Sequence, residues 1–169
     1  NVWVVDEAGA IIHFDGSSWT DTDAGTALFA IHGSASNNVW IGGFDDIQRF
    51  DGTAWNSHSW ANNRPSAIRS LGSNLTVAIA RVSGVARVFD GSTWTDIGSH
   101  DVLAATGLWA FSANDIVVSG YQGTIRRYNG TQWNAMSSGT SSRLIALWAS
   151  ATNNIIAVGE NGTITRYNG

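Results

Sequence analysis

One short phrase recurs along the chain at nearly even steps, and few folds accommodate such a rhythm. It reads "HFDGSSW" at 13–19, "RFDGTAW" at 49–55, "VFDGSTW" at 88–94 and "RYNGTQW" at 127–133, and it starts again as "RYNG" at 166–169. Its Asp or Asn falls at 15, 51, 90, 129 and 168, giving steps of 36, 39, 39 and 39 residues. A period in this range marks a repeat architecture in which each unit is one supersecondary block. The units run approximately over 1–26, 27–65, 66–104, 105–143 and a partial 144–169.

Set under one another, the units give four short strand-like pieces each. The first reads "LFAI" at 28–31, "AIRSL" at 67–71, "GLWAF" at 107–111 and "IALWA" at 145–149. The second includes "NVWVV", "NVWIGG", "LTVAIA", "DIVVSG" and "NIIAVG". The third reads "IIHF", "IQRF", "ARVF", "IRRY" and "ITRY", and the fourth starts at the Trp of the phrase. All are rich in Val, Ile, Thr or aromatic residues and bounded by Gly, Asn, Asp or Ser, which is the strand-and-turn signature. Asp-Gly and Asn-Gly between two such pieces signal a hairpin, because Gly and Asn tolerate the positive φ of a tight turn. Helical periodicity is not sustained anywhere.

Four antiparallel strands recurring at about 40 residues describe one blade of a β-propeller. The sequence therefore predicts an all-β chain of four to five four-stranded antiparallel blades at about 39 residues per repeat, either a single domain or a propeller segment. The first strand of each unit is expected nearest the central axis, with the recurring aromatics filling the seams between blades. Units such as "LIALWASATNNIIAVGENGTITRYNG" resemble the short bacterial propeller repeats grouped with BNR or Asp-box-like sequences. They are similar also to the propellers of photosystem-assembly factors. An Asp-box reads S/T-x-D-x-G-x-x-W, whereas here Gly follows Asp directly. The resemblance implies fold; proteins of many activities share it.

The chain opens inside a second strand and stops after a third, before the Trp that the phrase would supply. A five-bladed ring with two trimmed blades, a segment of a larger ring and an open arc completed by another chain are all compatible with this count. An open arc exposes strand edges and apolar blade faces, so a homo-oligomer through those edges is one expectation.

Composition narrows the function classes. The net charge is -4, and the nine basic residues are all Arg, none clustered, which argues against nucleic acid. Without cysteine there is no disulfide, thiol nucleophile or thiolate zinc site. No stretch reaches the roughly 18 apolar residues of a membrane-spanning helix. Low charge, no Lys and abundant Ser, Thr, Asn and Gly resemble secreted or cell-surface bacterial proteins, although the chain shows no signal peptide.

Residues that recur are explained by the repeat, so Trp3, Trp19, Trp40, Trp55, Trp94 and Trp133 are expected in blade packing. His32, Trp109 and Trp148 occupy one matching place at the end of the first strand, facing core or axis. Arg49, Arg127 and Arg166, on separate blades, are expected to be solvated or to bond between blades. Departures from the repeat gather in the connections "DTDAGT" at 21–26, "NSHSWANNRPS" at 56–66, "GSHDV" at 98–102 and "SSGTSSR" at 137–143. These should share one face with the turns bearing Glu7, Asp45, Asp46, Gln122, Glu160 and Asn161. That face would collect His58, Trp60, Asn62, Asn63, Arg64, His100, Asp101 and Arg143. Variable loops on a rigid scaffold commonly carry binding.

An exposed Trp60 beside Asn and Arg suits a sugar ring, since C–H faces stack on indole while amides and guanidinium bond hydroxyls. A non-enzymatic binding or interaction module is the leading expectation, with a glycan or a protein as ligand and no cofactor or metal. A structural or self-assembling fragment, natural or engineered, is the first alternative. A sialidase-like hydrolase is the second; it would need two carboxylates roughly 5–9.5 Å apart in a cleft, and Glu7, Asp46 and Glu160 fall in different units. "DTDAG" at 21–25 lacks the later carboxylates of a calcium loop. No nucleophile elbow, P-loop or dinucleotide fingerprint is present.

Overall fold

A computed structural model describes residues 1–44 and 46–169, and Asp45 of the expected loop face lies outside the described residues. The described residues build eighteen strands in five antiparallel sheets. The first holds β1 (Val2–Val5), β2 (Ala10–Phe14) and β3 (Trp19–Asp23). The second holds β4 (Leu28–Ala35), β5 (Asn38–Gly43), β6 (Asp46–Phe50) and β7 (Trp55–Ser59). The third holds β8 (Pro65–Gly72), β9 (Leu75–Ala80), β10 (Val85–Phe89) and β11 (Trp94–Ser99). The fourth holds β12 (Gly107–Ser112), β13 (Asp115–Ser119), β14 (Ile125–Tyr128) and β15 (Trp133–Met136). The fifth holds β16 (Leu144–Ala151), β17 (Asn154–Gly159) and β18 (Ile164–Tyr167).

Every sheet is a simple meander, each strand pairing with its sequence neighbour. The first strands β4, β8, β12 and β16 pack on one another in succession and form the inner wall. One position of that wall repeats from blade to blade. His32, Arg69, Trp109 and Trp148 each pair with the third residue along the neighbouring strand, Trp40, Val77, Val117 and Ile156. The Arg69 guanidinium lies 3.4 Å from the centre of the Trp109 ring, and Trp148 follows at 6.2 Å. His32 Nδ1 accepts the Ser70 backbone N–H at 3.2 Å. Burial, with the Arg69 charge behind it, holds the His32 imidazole below its ordinary pKa.

The apolar interior is four seam clusters, one between each pair of successive blades. From the second phrase to the fourth, the Trp reaches backwards across a seam. Trp55 meets Trp3 of the first blade at 5.6 Å, Trp94 meets Trp40 of the second at 5.3 Å, and Trp133 meets His100 of the third at 5.8 Å. Trp133 also donates its indole N–H to the Ile97 carbonyl. Trp19, on the first blade, is 57% exposed. Arg49 sits over Trp40 and Phe89 across a seam, and Arg127 makes a bidentate pair with Asp115 while bonding the Thr152 carbonyl of the next blade. Val2 and Val4 on the first sheet, and Ile145, Val158 and Ile164 on the fifth, are exposed.

The phrase folds by a mechanism different from the expected one. Only its Gly takes positive φ (Gly16, Gly52, Gly91 and Gly130); the preceding Asp or Asn does not. The acidic side chain instead caps a four-residue loop from within. Asp15 Oδ1 accepts the Ser17 and Ser18 backbone N–H groups at 2.7 and 2.9 Å, together with the Ser17 hydroxyl. Asp51 and Asp90 repeat the pattern. Asn129 makes the same bonds with a neutral amide oxygen. Short polar side chains that bond their own backbone two and three residues on suit such turns.

Backbone N–H donors, those of Ser18, Ala54 and Thr93 foremost, hold the three carboxyls well below the ordinary value of 3.8. A depressed folded-state pKa contributes stability that is full above 3.8 and is lost as pH falls through the folded value. Replacing Asp15, Asp51 and Asp90 together by Asn should therefore flatten the fall of the urea midpoint between about pH 5 and 2. A fall as steep as in the parent protein would show that these turns do not set the acid limb. Trp40 is completely buried and its indole N–H donates to Asn38 Oδ1 at 3.1 Å. Trp40→Ala should destabilise by about 3–5 kcal/mol in denaturant unfolding, the range for removing a large buried ring.

Candidate functional site

The connections that close each blade and the turns between second and third strands do lie together. Ala24 N–H donates to the Gly9 carbonyl and His100 N–H to the Gly84 carbonyl, each at 2.8 Å, tying a connection to the turn of its own blade. Below this loop face, a further bond recurs where the first two strands of a blade part. Arg81 N–H donates to Arg64 O at 3.0 Å, Tyr121 N–H to Leu103 O at 2.9 Å, and Glu160 N–H to Arg143 O at 2.9 Å. Arg64/Arg81, Leu103/Tyr121 and Arg143/Glu160 are thus equivalent pairs on blades three, four and five.

The residues expected to bind from this face separate into three groups. Trp60 and His100 belong to the core. Trp60 is 2% exposed and packs in the seam of blades two and three, with the Arg87 guanidinium 5.3 Å from its ring. The exposed sugar platform expected of it is not formed. The turn from Trp60 to Asn63, closed by a backbone bond at 3.1 Å, folds the indole inward, because an apolar ring gains more from the seam than from water. His100 is 0% exposed, and its Nδ1 accepts the Val102 N–H at 3.1 Å. His58 is half-buried against Trp40, Phe89 and Trp94, and burial lowers its pKa.

Asn62 and Asp101 form the second group, both exposed at positive φ, where they shape loop tips. Their neighbour Asn63 accepts the Ser83 hydroxyl, and Asp101 accepts that of Ser99 at 2.7 Å. The third group faces solvent with functional chemistry intact. Arg143 lies 3.9 Å from Glu160, its own blade's carboxylate. Arg64 lines an open cavity of about 380 Å³ at the loop-face mouth of the axis.

Four blades contribute to that cavity. Asp6 and Glu7 come from the first, Phe29 from the second, Arg64, Ser66 and Arg81 from the third, and Thr106 from the start of the fourth. The Arg64 guanidinium lies 3.6 Å from the Phe29 ring centre and 5.2 Å from that of Phe44, so two rings hold it in place. Arg64 Nε and Thr106 Oγ1 are enclosed and meet no acceptor among the described residues. Asp6 is partly committed, its Oδ1 accepting the Ala8 and Ala10 N–H groups at 2.9 Å.

In the turns and connections of the loop face, the exposed large apolar side chains are Phe44, Val82 (81%), Leu103 (68%) and Tyr121. Sequence reading named Arg64 but missed Phe29, Arg81 and Thr106. The signal available was that "ARVSG" at 80–84 carries Arg where other units carry Glu, Phe or Tyr. No cluster of three or more metal-ligating side chains is found among the described residues.

Solved structures with this arrangement are found at low sequence identity. The WD40 β-propeller domain of Doa1 superposes with a TM-score of 0.79 at 14% identity over 98% of this chain. The fold is a β-propeller. Virginiamycin B lyase from Staphylococcus aureus, solved in a catalytically inactive form with quinupristin, gives 0.72 at 13% identity, and YCF48 from Cyanidioschyzon merolae gives 0.69 at 12%, each over 98% of this chain. The propeller described here spans 60% of the Doa1 chain and 65% of each of the other two. No protein-family model matches the sequence, and no curated protein matches it.

His100 gives this propeller a second pH response. Burial pushes its imidazole down to about 4 from 6.5, with the Ala80 carbonyl and the Asp101 charge working in the opposite direction. A depressed His is neutral when folded and must gain a proton on unfolding. Its contribution is therefore complete above 6.5 and declines as pH falls towards 4. His100→Gln should remove about 3 kcal/mol of pH-dependent stability across that window. Urea unfolding of the variant at pH 7 and pH 4.5 tests this; an unchanged difference between the two would exclude His100 as its source.

Proposed function

We propose that this propeller is a non-enzymatic interaction module that engages a protein partner through its loop face. The observation that carries the reading is the collection of Phe44, Val82, Leu103 and Tyr121, all exposed, on the same loop face as an open cavity lined by Arg64 and Arg81. Tyr121, Phe44 and the two arginines are of the residue types enriched at protein interfaces.

A glycan ligand, expected from Trp60, loses its stacking platform with that ring in the seam. It would have to use Phe44 or Tyr121 instead. The carboxylates suggested for a hydrolase, Glu7, Asp46 and Glu160, belong to blades one, two and five, which supports binding over turnover. Within propellers we place the repeat with the short bacterial [DN]-G-x-x-W type, on the strength of the phrase. A secreted or surface location is our reading of its low charge and lack of Lys.

Selection from a phage-displayed random-peptide library against the whole chain is the direct test. Selected peptides should lose about tenfold or more in affinity with Leu103→Ser and Tyr121→Ser combined. Peptides indifferent to that double change would move the interaction surface elsewhere. Tryptophan-fluorescence titration with a panel of neutral and acidic sugars supplies the other arm. Saturable sugar binding without any peptide binding would replace the protein-partner reading with a glycan one.

A further inference from the structure

We infer that Arg64 and Arg81 form a receptor for a carboxylate carried by the partner, an inference that rests on the loop-face reading above. It comes from comparing equivalent positions within the one molecule. In blade five the corresponding pair is Arg143 and Glu160, opposite charges that lie 3.9 Å apart. In blade four it is Leu103 and Tyr121, which carry no charge. Blade three alone of these places two cations there, with their backbones joined at 3.0 Å.

Two guanidiniums beside one cavity repel unless an anion lies between them. The ion pairs among the described residues are Arg87 with Asp96, Arg127 with Asp115, and Arg143 with Glu160. Neither Arg64 nor Arg81 takes part in one. Asp6 and Glu7 line the same cavity; Asp6 spends Oδ1 on its own turn, and neither carboxylate pairs with Arg64 or Arg81 within 4 Å among the described residues. The site is also ordered in advance. Phe29 and Phe44 hold the Arg64 plane, so its fork loses little freedom on pairing. The Thr106 hydroxyl, buried beside the cavity, has no partner among the described residues.

A planar, bidentate oxyanion is what such a fork recognises best. The cavity is lined by two acids, Asp6 and Glu7, as well as the two arginines, so what draws a carboxylate is the unpaired guanidinium pair and not a net positive field. Val82, next in sequence to Arg81, is exposed and available to the residues beside the acid.

The carboxylate has two sources in a peptide, a side chain or the C-terminus. N-acetylglutamyl amide offers only the first and N-acetylglutamine only the second; N-acetylglutaminamide offers neither. Each is titrated into the whole isotope-labelled chain while the Nε–H resonances of Arg64 and Arg81 are followed. At least one of the two acids should shift both resonances saturably, the neutral amide should not, and the acid that binds more tightly names the source. Arg81→Glu recreates the internal pair of blade five and should abolish the response without lowering the thermal midpoint. Arg81→Leu should weaken it about tenfold or more, the loss expected when one charged partner is removed.

No saturable shift, equal shifts from the neutral amide, or a response that survives in Arg81→Glu would overturn the inference. Peptides selected on the loop face give the separation from the broader reading. If they depend on Leu103 and Tyr121 but bind Arg81→Glu as tightly as the parent, the carboxylate receptor fails and the interaction surface stands.

Discussion

The structure depends on one contact, repeated at three of its four seams: an indole from one blade set against the aromatic or histidine ring of the blade before it. A meander of three or four short strands has two faces and cannot bury both by itself. Stacking blades solves the problem only if each interface is filled, and Trp55, Trp94 and Trp133 fill three of the four. The side chains around them make up most of the buried interior. Even the basic residues of the third strands are drawn into this service. Arg49 covers Trp40, and Arg127 stitches its own blade to the next.

Between the seams the blades are nearly autonomous. The Asp-Gly turns close on themselves, with the acid of the turn bonding its own following residues. They need nothing from neighbouring blades. That independence explains why the phrase recurs almost unaltered, since its acceptor and its positive-φ glycine answer to local geometry alone. Asn129 performs the task without charge, so it is oxygen position and not ionisation that the turn requires.

The strands were largely legible in the sequence because period and punctuation are local properties. Asn38–Gly43, Leu75–Ala80, Asn154–Gly159 and Ile164–Tyr167 fall where the aligned phrases put them, while β4, β8 and β16 run longer and β8 starts at Pro65. The loop face was legible in outline only. Trp60 lies in a connection rich in Asn and Ser, which reads as exposed; its burial is decided by a seam between two blades whose residues are far apart in sequence. His100 was misplaced for the same reason. The cavity was harder still, since Asp6, Phe29, Arg64, Arg81 and Thr106 come from four blades. No local pattern unites them.

The backward reach of each indole gives the molecule a direction. Blades two, three and four each lean on their predecessor through an indole that they supply themselves, so the coupling is handed along the chain like links that each hook the one before. Elements joined only to nearest neighbours behave as a one-dimensional cooperative array. Severing one link in such an array weakens the bond between two particular blades and leaves the remaining links intact. A chain built this way can lengthen by copying a unit, because each new unit brings the hook that fastens it.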